Sequence, residues 1–194
     1  MLFHLPLAGS TFKKVYYDTT MARAVSKFVP ADELVVPYTA TSLDDAEAII
    51  HVIKIPENEL RKQQVGGFYR DIDLGPPGYA VNNELEKKER ELEGTRASGR
   101  AQPLYTLLEC HVNLDLEGFE EVGEDGEPTG IKLPYIVTIE EGTRTVLSIK
   151  RNYAPEDTKK KKISYFVHFK FLPGLGFYGF GLIHMIGGLS RTAT

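Results

Sequence analysis

The sequence predicts an α+β fold built mostly from antiparallel strands. Several segments are short and rich in β-branched and aromatic residues, and clusters of Gly, Pro, Asp and Asn separate them. Helical periodicity is confined to short stretches, the clearest being residues 56–67. The chain has 194 residues, of which 42% are hydrophobic and 26% charged, as is typical of a globular protein.

Residues 1–74 are predicted to form a first lobe of strands with one short helix. Its expected strands consist of aromatic or β-branched residues and lie at 12–17, at 25–29, briefly within 31–37, and at 49–55. The helix begins after Pro56, with Asn58 as the expected N-cap, and Gly66 and Gly67 end it.

Residues 75–103 are predicted to be a flexible charged insertion between two lobes. The segment opens with Gly-Pro-Pro-Gly and continues as a run of Glu, Lys and Arg. Such a composition buries too little apolar area to offset the entropy that ordering costs.

Residues 104–194 are predicted to form a second lobe, a β-meander that ends in a loop of glycine and aromatic residues and the start of a helix. The expected strands are 104–116, 131–140, 145–150 and 163–171. In the first strand, the apolar residues Leu108, Cys110 and Val112 alternate with polar ones, which predicts a half-exposed strand with this apolar set facing inward.

Composition and single residues exclude several function classes. A net charge of -4 argues against a surface that binds nucleic acid throughout. The one cysteine, Cys110, cannot form an internal disulfide or a cysteine-based zinc site. Five histidines lie apart in the sequence and are expected at packing positions: His4, His51, His111, His168 and His184. These residues therefore predict no catalytic group, no cofactor and no metal site.

Residues Gly174 to Gly179 match G-x-G-x-x-G, which admits a nucleotide-binding enzyme as an alternative. The preceding strands are predicted to be antiparallel, whereas the nucleotide-binding motif needs a βαβ unit. The favoured interpretation is a turn in which glycine lets backbones pack closely.

Residues 171–190 contain no Asp, Glu, Lys or Arg. A membrane-associated protein is one alternative, although the glycines, Pro173 and His184 make a poor spanning helix. We favour cover by a neighbouring subunit or by a further part of the protein, and we expect Phe177, Tyr178 and Phe180 at such a subunit or domain contact.

Lys159, Lys160, Lys161 and Lys162 form a basic run before the last predicted strand. A solvated loop tip is the ordinary interpretation of such a run. The alternative is contact with phosphate, each lysine acting as a point charge on a flexible stem.

The order of several segments resembles the portal proteins of tailed bacteriophages of the podovirus type. These segments are VPADELVVPY (29–38), ENELRKQQVGGFYRD (57–71), LLECHVNLD (107–115), LPYIVTI (133–139), VLSIKRNY (146–153) and FLPGLGFYGFGL (171–182). The resemblance covers nearly the whole chain except the charged insertion, and its specificity lies in the order and number of the segments.

The resemblance implies a structural subunit of the head-to-tail connector, not an enzyme, in a homo-oligomeric, dodecameric ring at one capsid vertex. Double-stranded DNA passes through that ring during packaging and ejection. Implied partners are the terminase large subunit, capsid and scaffolding proteins and the tail adaptor, with no membrane partner. The implied location is the virion, after assembly in the host cytoplasm. This chain would be a fragment, a wing-like region leading toward the stem and clip, and the lysine run could contact DNA or the packaging motor.

Overall fold

The computed structural model describes residues 1–18, 22–77, 103–123, 125 and 127–192. The α+β class is confirmed, with about 39% strand in antiparallel sheets and 15% helix. The chain divides into two compact units. Unit 1 comprises Met1–Val52, Cys110–Ile136 and Lys150–Thr194, and unit 2 comprises Ile53–Glu109 and Val137–Ile149.

A three-stranded sheet in the order β2-β1-β8 lies in unit 1. Its strands are β1 (Ser10–Asp18), β2 (Arg23–Val29) and β8 (Phe166–Lys170), and β1 pairs antiparallel with both neighbours. Phe12 lies opposite Val29 on one side and His168 on the other. The strands predicted at 12–17 and 25–29 are therefore confirmed, and they form an antiparallel hairpin.

A five-stranded sheet has the order β3-β4-β5-β6-β7. Its strands are β3 (Leu34–Val35), β4 (Ala48–Pro56), β5 (Leu104–Leu114), β6 (Leu133–Glu140) and β7 (Val146–Arg151). A 3-10 turn at Ala31–Glu33 precedes β3, which is the brief strand predicted within residues 31–37. Residues Glu141 to Thr145 join β6 to β7, and the buried Glu140 carboxylate accepts the backbone N–H groups of Gly142 and Thr143.

Three helices complete the fold. They are α1 (His4–Ala8), α2 (Glu57–Val65) and α3 (Leu182–Thr192). The predicted helix after Pro56 is confirmed, but its N-cap is Pro56 itself, and Asn58 lies inside the first turn. Gly67 follows the helix at φ +72°, a conformation that glycine adopts without a steric cost.

Each unit has its own hydrophobic core. In unit 1 the buried residues are Phe12, Val29, Leu34, Ala40, Ala46, Ile49, Phe166 and Phe177. In unit 2 they are Ile55, Leu60, Tyr69, Leu74, Tyr105, Leu107 and Leu147. The buried Gln64 amide of α2 donates to the carbonyl oxygens of Arg70, at 3.2 Å, and Ile72, at 2.9 Å. These two hydrogen bonds hold the segment after α2 against the helix.

The predicted four-stranded meander is wrong in its last strand. Strands β5, β6 and β7 are neighbours, but β8 joins β1 in the other sheet. Phe166 on β8 packs into the core that Phe12 and Val29 of the N-terminal hairpin also line. In its pairing with β1, strand β8 places the Phe166 side chain in this core.

The predicted lobes, residues 1–74 and 104–194, do not match the two units. Segments from both halves of the chain contribute to each unit, because β3 and β4 share a sheet with β5, β6 and β7 while β8 pairs with β1. Most of the predicted insertion, residues 78–102, lies outside the described residues.

The predicted inward face of β5 is also wrong. The buried residues are Tyr105, Leu107 and His111, whereas Leu108 and Cys110 are only half-buried. Tyr105 and Leu107 belong to the core of unit 2, and His111 packs on Phe166 in unit 1. Large side chains on the odd positions fill these cores, so packing outweighs the simple polar-apolar alternation.

Candidate interaction surface

The glycine turn, residues 171–181, connects β8 to α3 and carries the three aromatic residues expected at a subunit contact. Phe177 is only 6% exposed and belongs to the core of unit 1. Its phenyl ring lies 5.9 Å from that of Phe12 and 4.8 Å from the imidazole of His168, centroid to centroid. The prediction of a subunit contact at Phe177 is therefore corrected, because this side chain is already covered by its own chain.

Tyr178 and Phe180 keep about half of their surface, at 45% and 48% exposure. The Tyr178 hydroxyl lies 3.4 Å from the carbonyl oxygen of Leu34, to which it donates, and burial raises the pKa of this tyrosine. The phenyl ring of Phe180 lies against Gly174 and 5.8 Å from the imidazole of His184. One side of each side chain therefore contacts its own chain, and the other side is exposed to solvent.

Close backbone contacts fix the glycine turn. A Cβ on Gly179 would lie 2.7 Å from the carbonyl oxygens of both Gly9 and Leu172, and one on Gly181 would overlap the carbonyl oxygen of Leu7. Phe180 and Leu172 exchange backbone hydrogen bonds across the turn, at 2.8 and 3.3 Å. The expected close packing of backbones is confirmed.

The same geometry gives no support to the nucleotide alternative. The strand before the turn, β8, pairs antiparallel with β1, where the nucleotide motif requires a parallel βαβ unit. The Gly179 N–H donates to the Ser10 hydroxyl at 2.8 Å, so this donor is already used within the chain.

Around the turn, helices α1 and α3 pack against each other and leave a set of large apolar side chains in solvent. We call this set the apolar surface: Leu2, Phe3, Leu7, Leu172, Leu175, Tyr178, Phe180, Leu182, Ile183, Met185 and Ile186. No Asp, Glu, Lys or Arg interrupts the chain from 171 to 190. Large exposed apolar side chains concentrated in adjoining elements are typical of sites of protein–protein or membrane contact, so this set is the candidate contact surface.

The lysine run forms a turn that Asp157 organises. The Asp157 carboxylate accepts the backbone N–H groups of Lys161 and Lys159, both at 3.0 Å, and these bonds lower its pKa. Lys160 forms an ion pair with Glu121.

Lys162 is tied to a distant loop. Its Nζ donates to the carbonyl oxygens of Leu43, Asp44 and Ala46 at 3.1, 3.5 and 3.3 Å. The expectation of a solvated tip is therefore wrong for Lys160 and Lys162, which are half-buried, and holds for the exposed Lys159 and Lys161.

Three of the five histidines occupy packed positions in unit 1, as expected. His51 and His111 are buried, with their imidazoles 5.6 and 5.2 Å from the phenyl ring of Phe166. His168 lies between Phe12 and Phe177. Within the described ranges, no group of three His, Cys, Asp or Glu side chains could hold a metal ion.

Unit 2 contains an open cleft of about 430 Å³ that sequence reasoning missed. Its lining comes from α2, the segment after it and β5: Glu57, Leu60, Arg61, Gln64, Asp71, Ile72, Asp73, Leu74, Gly75 and Tyr105. The helical spacing of residues 57, 60, 61 and 64 was the available signal in the sequence, since it places all four on the same face of α2. Arg61 pairs with Asp71 and the Tyr105 hydroxyl donates to the Gly75 carbonyl, so these polar groups satisfy one another.

Comparison with known proteins adds no family. No protein-family model matches the chain, and no curated protein matches it significantly. Among the described residues, no helix combines the length and apolar character needed to cross a membrane.

Proposed function

We propose that this chain is part of a portal subunit, a structural protein of the head-to-tail connector in a tailed bacteriophage. Copies would form a ring at one capsid vertex of the virion, through which double-stranded DNA is packaged and ejected. The terminase large subunit, the tail adaptor, and the capsid and scaffolding proteins would be its partners. The proposal rests on the ordered segments of the sequence, and the apolar surface is the structural observation that supports it.

The apolar surface suits a subunit of a closed assembly. A ring is built from head-to-tail contacts, in which a patch on one copy meets a different patch on the next. Burial of apolar area stabilises such a contact by about 25 cal/mol per Å². Tyr178 and Phe180 are half-exposed aromatic side chains whose other half packs against their own chain. Aromatic residues of this kind commonly provide much of the binding energy of an interface.

Assembly of the full-length protein tests this proposal. Phe180→Asp places a charge within the apolar surface and should reduce ring formation, measured as particle mass by native mass spectrometry. Phe119→Asp is the matched control, since Phe119 is also a phenylalanine of unit 1 and is 57% exposed. The control should assemble like the wild type. Normal rings from the Phe180→Asp protein would contradict the assignment of this surface.

The lysine run offers a second, separate contact. Lys159 and Lys161 are the two exposed lysines of the turn. Their backbone N–H groups donate to Asp157, but none of the hydrogen bonds described above involves their side-chain ammonium groups. We propose that they touch DNA phosphates, each releasing counterions on binding. The net negative charge of the chain keeps its affinity for DNA low, as a channel through which DNA slides requires.

Salt dependence of DNA binding measures this contact. Two phosphate contacts contribute about 2 to the slope of log K against log salt. The double variant Lys159→Gln and Lys161→Gln should lose that amount, whereas Lys160→Gln, whose lysine is paired with Glu121, should keep the slope. An unchanged slope in the double variant would leave both lysines as solvated loop residues.

A further inference from the structure

A buried serine connects strand β8 to the glycine turn. Ser10 is 1% exposed and begins β1. Its Oγ accepts the Gly179 N–H at 2.8 Å and lies 3.1 Å from Nε2 of His168. One hydroxyl group therefore links an imidazole on β8 to the backbone between Tyr178 and Phe180, the two most exposed aromatic residues of the turn.

The hydrogen-bond count favours a neutral His168. A serine hydroxyl has one hydrogen and two lone pairs, and the Gly179 amide occupies one lone pair. The hydroxyl hydrogen can then be donated to Nε2 of a neutral imidazole, which gives a continuous chain from the Gly179 N–H through Ser10 to His168. A protonated imidazole carries hydrogen on both nitrogens and cannot accept it. Its Nε2–H would instead donate to the second lone pair of the Ser10 oxygen, which leaves the buried hydroxyl hydrogen without its acceptor and destabilises this arrangement.

The surroundings of His168 act in the same direction. From β1 it meets Ser10 and the phenyl ring of Phe12, at 4.4 Å between centroids, and from the glycine turn the phenyl ring of Phe177, at 4.8 Å. The charged group acting on it is the ammonium of Lys170 on its own strand. Burial first, then repulsion by Lys170, lowers the pKa of His168 from 6.5 to about 4.

This shift makes the arrangement sensitive to acid. The folded protein holds the His168 pKa below its ordinary value, so an opened or unfolded form binds the proton more readily. The contribution to stability is complete above pH 6.5 and is lost progressively as the pH falls toward about 4. The other histidine at the turn, His184, accepts the Gly181 N–H at 3.1 Å and forms a separate contact.

We propose that Ser10 and His168 form an acid-sensitive latch that positions the glycine turn and, with it, the apolar surface. The consequence for assembly rests on the proposed function, whereas the latch is a property of this chain alone. Ser10 and His168 are positioning residues, since neither belongs to the exposed set that would meet another copy.

Hydrogen exchange of the Gly179 amide in the 194-residue chain tests the latch. Protection should fall by about tenfold or more when the pH is lowered from 6.5 to 4, because one pKa unit corresponds to a tenfold change. His168→Gln keeps an acceptor that does not titrate, so its protection should be independent of pH over this range. Ser10→Ala should lower Gly179 protection by about tenfold already at neutral pH.

His184→Gln is the matched control, because it removes the other histidine at the turn and should retain the wild-type pH profile. Should Ser10→Ala fail to fold, the wild-type and His168→Gln profiles decide the question without it. The latch is overturned if these two profiles coincide, or if the pH dependence disappears in His184→Gln instead. Normal rings from Phe180→Asp together with an intact pH profile would refute the proposed surface and leave the latch standing.

Discussion

Phe177 and Phe180 lie three residues apart on the glycine turn, yet the structure gives them opposite roles. Phe177 is 6% exposed and packs on Phe12 and His168, whereas Phe180 is 48% exposed. Truncating a buried phenylalanine to alanine costs about 3–5 kcal/mol, because apolar burial is lost and a cavity remains. A half-exposed phenylalanine loses only part of its burial, about 1 kcal/mol.

We therefore expect Phe177→Ala to lower the melting temperature by about 10 °C and Phe180→Ala by about 3 °C, at 2–4 °C per kcal/mol for a chain of this size. The chain contains ten tyrosines and no tryptophan, so far-UV circular dichroism with near-UV tyrosine signals is the suitable assay. Equal, small shifts for the two variants would refute the placement of Phe177 in the core. The pair also separates folding from assembly, since Phe180→Ala should affect rings more than stability.

Two further pairs of substitutions, each a test variant with its control, probe contacts that the fold depends on. Gly181→Ala should destabilise the chain by about 2 kcal/mol in urea unfolding, because the added Cβ overlaps the Leu7 carbonyl oxygen. Gly187 has open space around it, so Gly187→Ala should be neutral or slightly stabilising in the same measurement. Lys162→Met should lower the free energy of unfolding by about 1–2 kcal/mol, since three carbonyl oxygens lose their shared donor. Lys161→Met should leave it almost unchanged. Equal urea-unfolding midpoints for the two lysine variants would argue against a stabilising role for the Lys162 hydrogen bonds.

Local sequence was sufficient to predict several elements of this protein. The β1–β2 hairpin, the strand before Pro56, helix α2 and the β6–β7 hairpin follow from β-branched and aromatic runs, turn residues and glycine positions. The close approach of backbones at Gly179 was also predictable, because a run of glycines beside aromatic residues indicates a place where no Cβ fits.

Only the tertiary structure decided how these elements meet. The pairing of β8 with β1 joins residues about 150 positions apart, and no local pattern encodes a partner at that distance. The inward orientation of Phe177 depends on Phe12 and His168, and the three acceptors of Lys162 lie more than 100 positions away. A run of aromatic residues or lysines shows what a segment can bury or bind. Which of its members are covered depends on the surfaces that folding brings beside them.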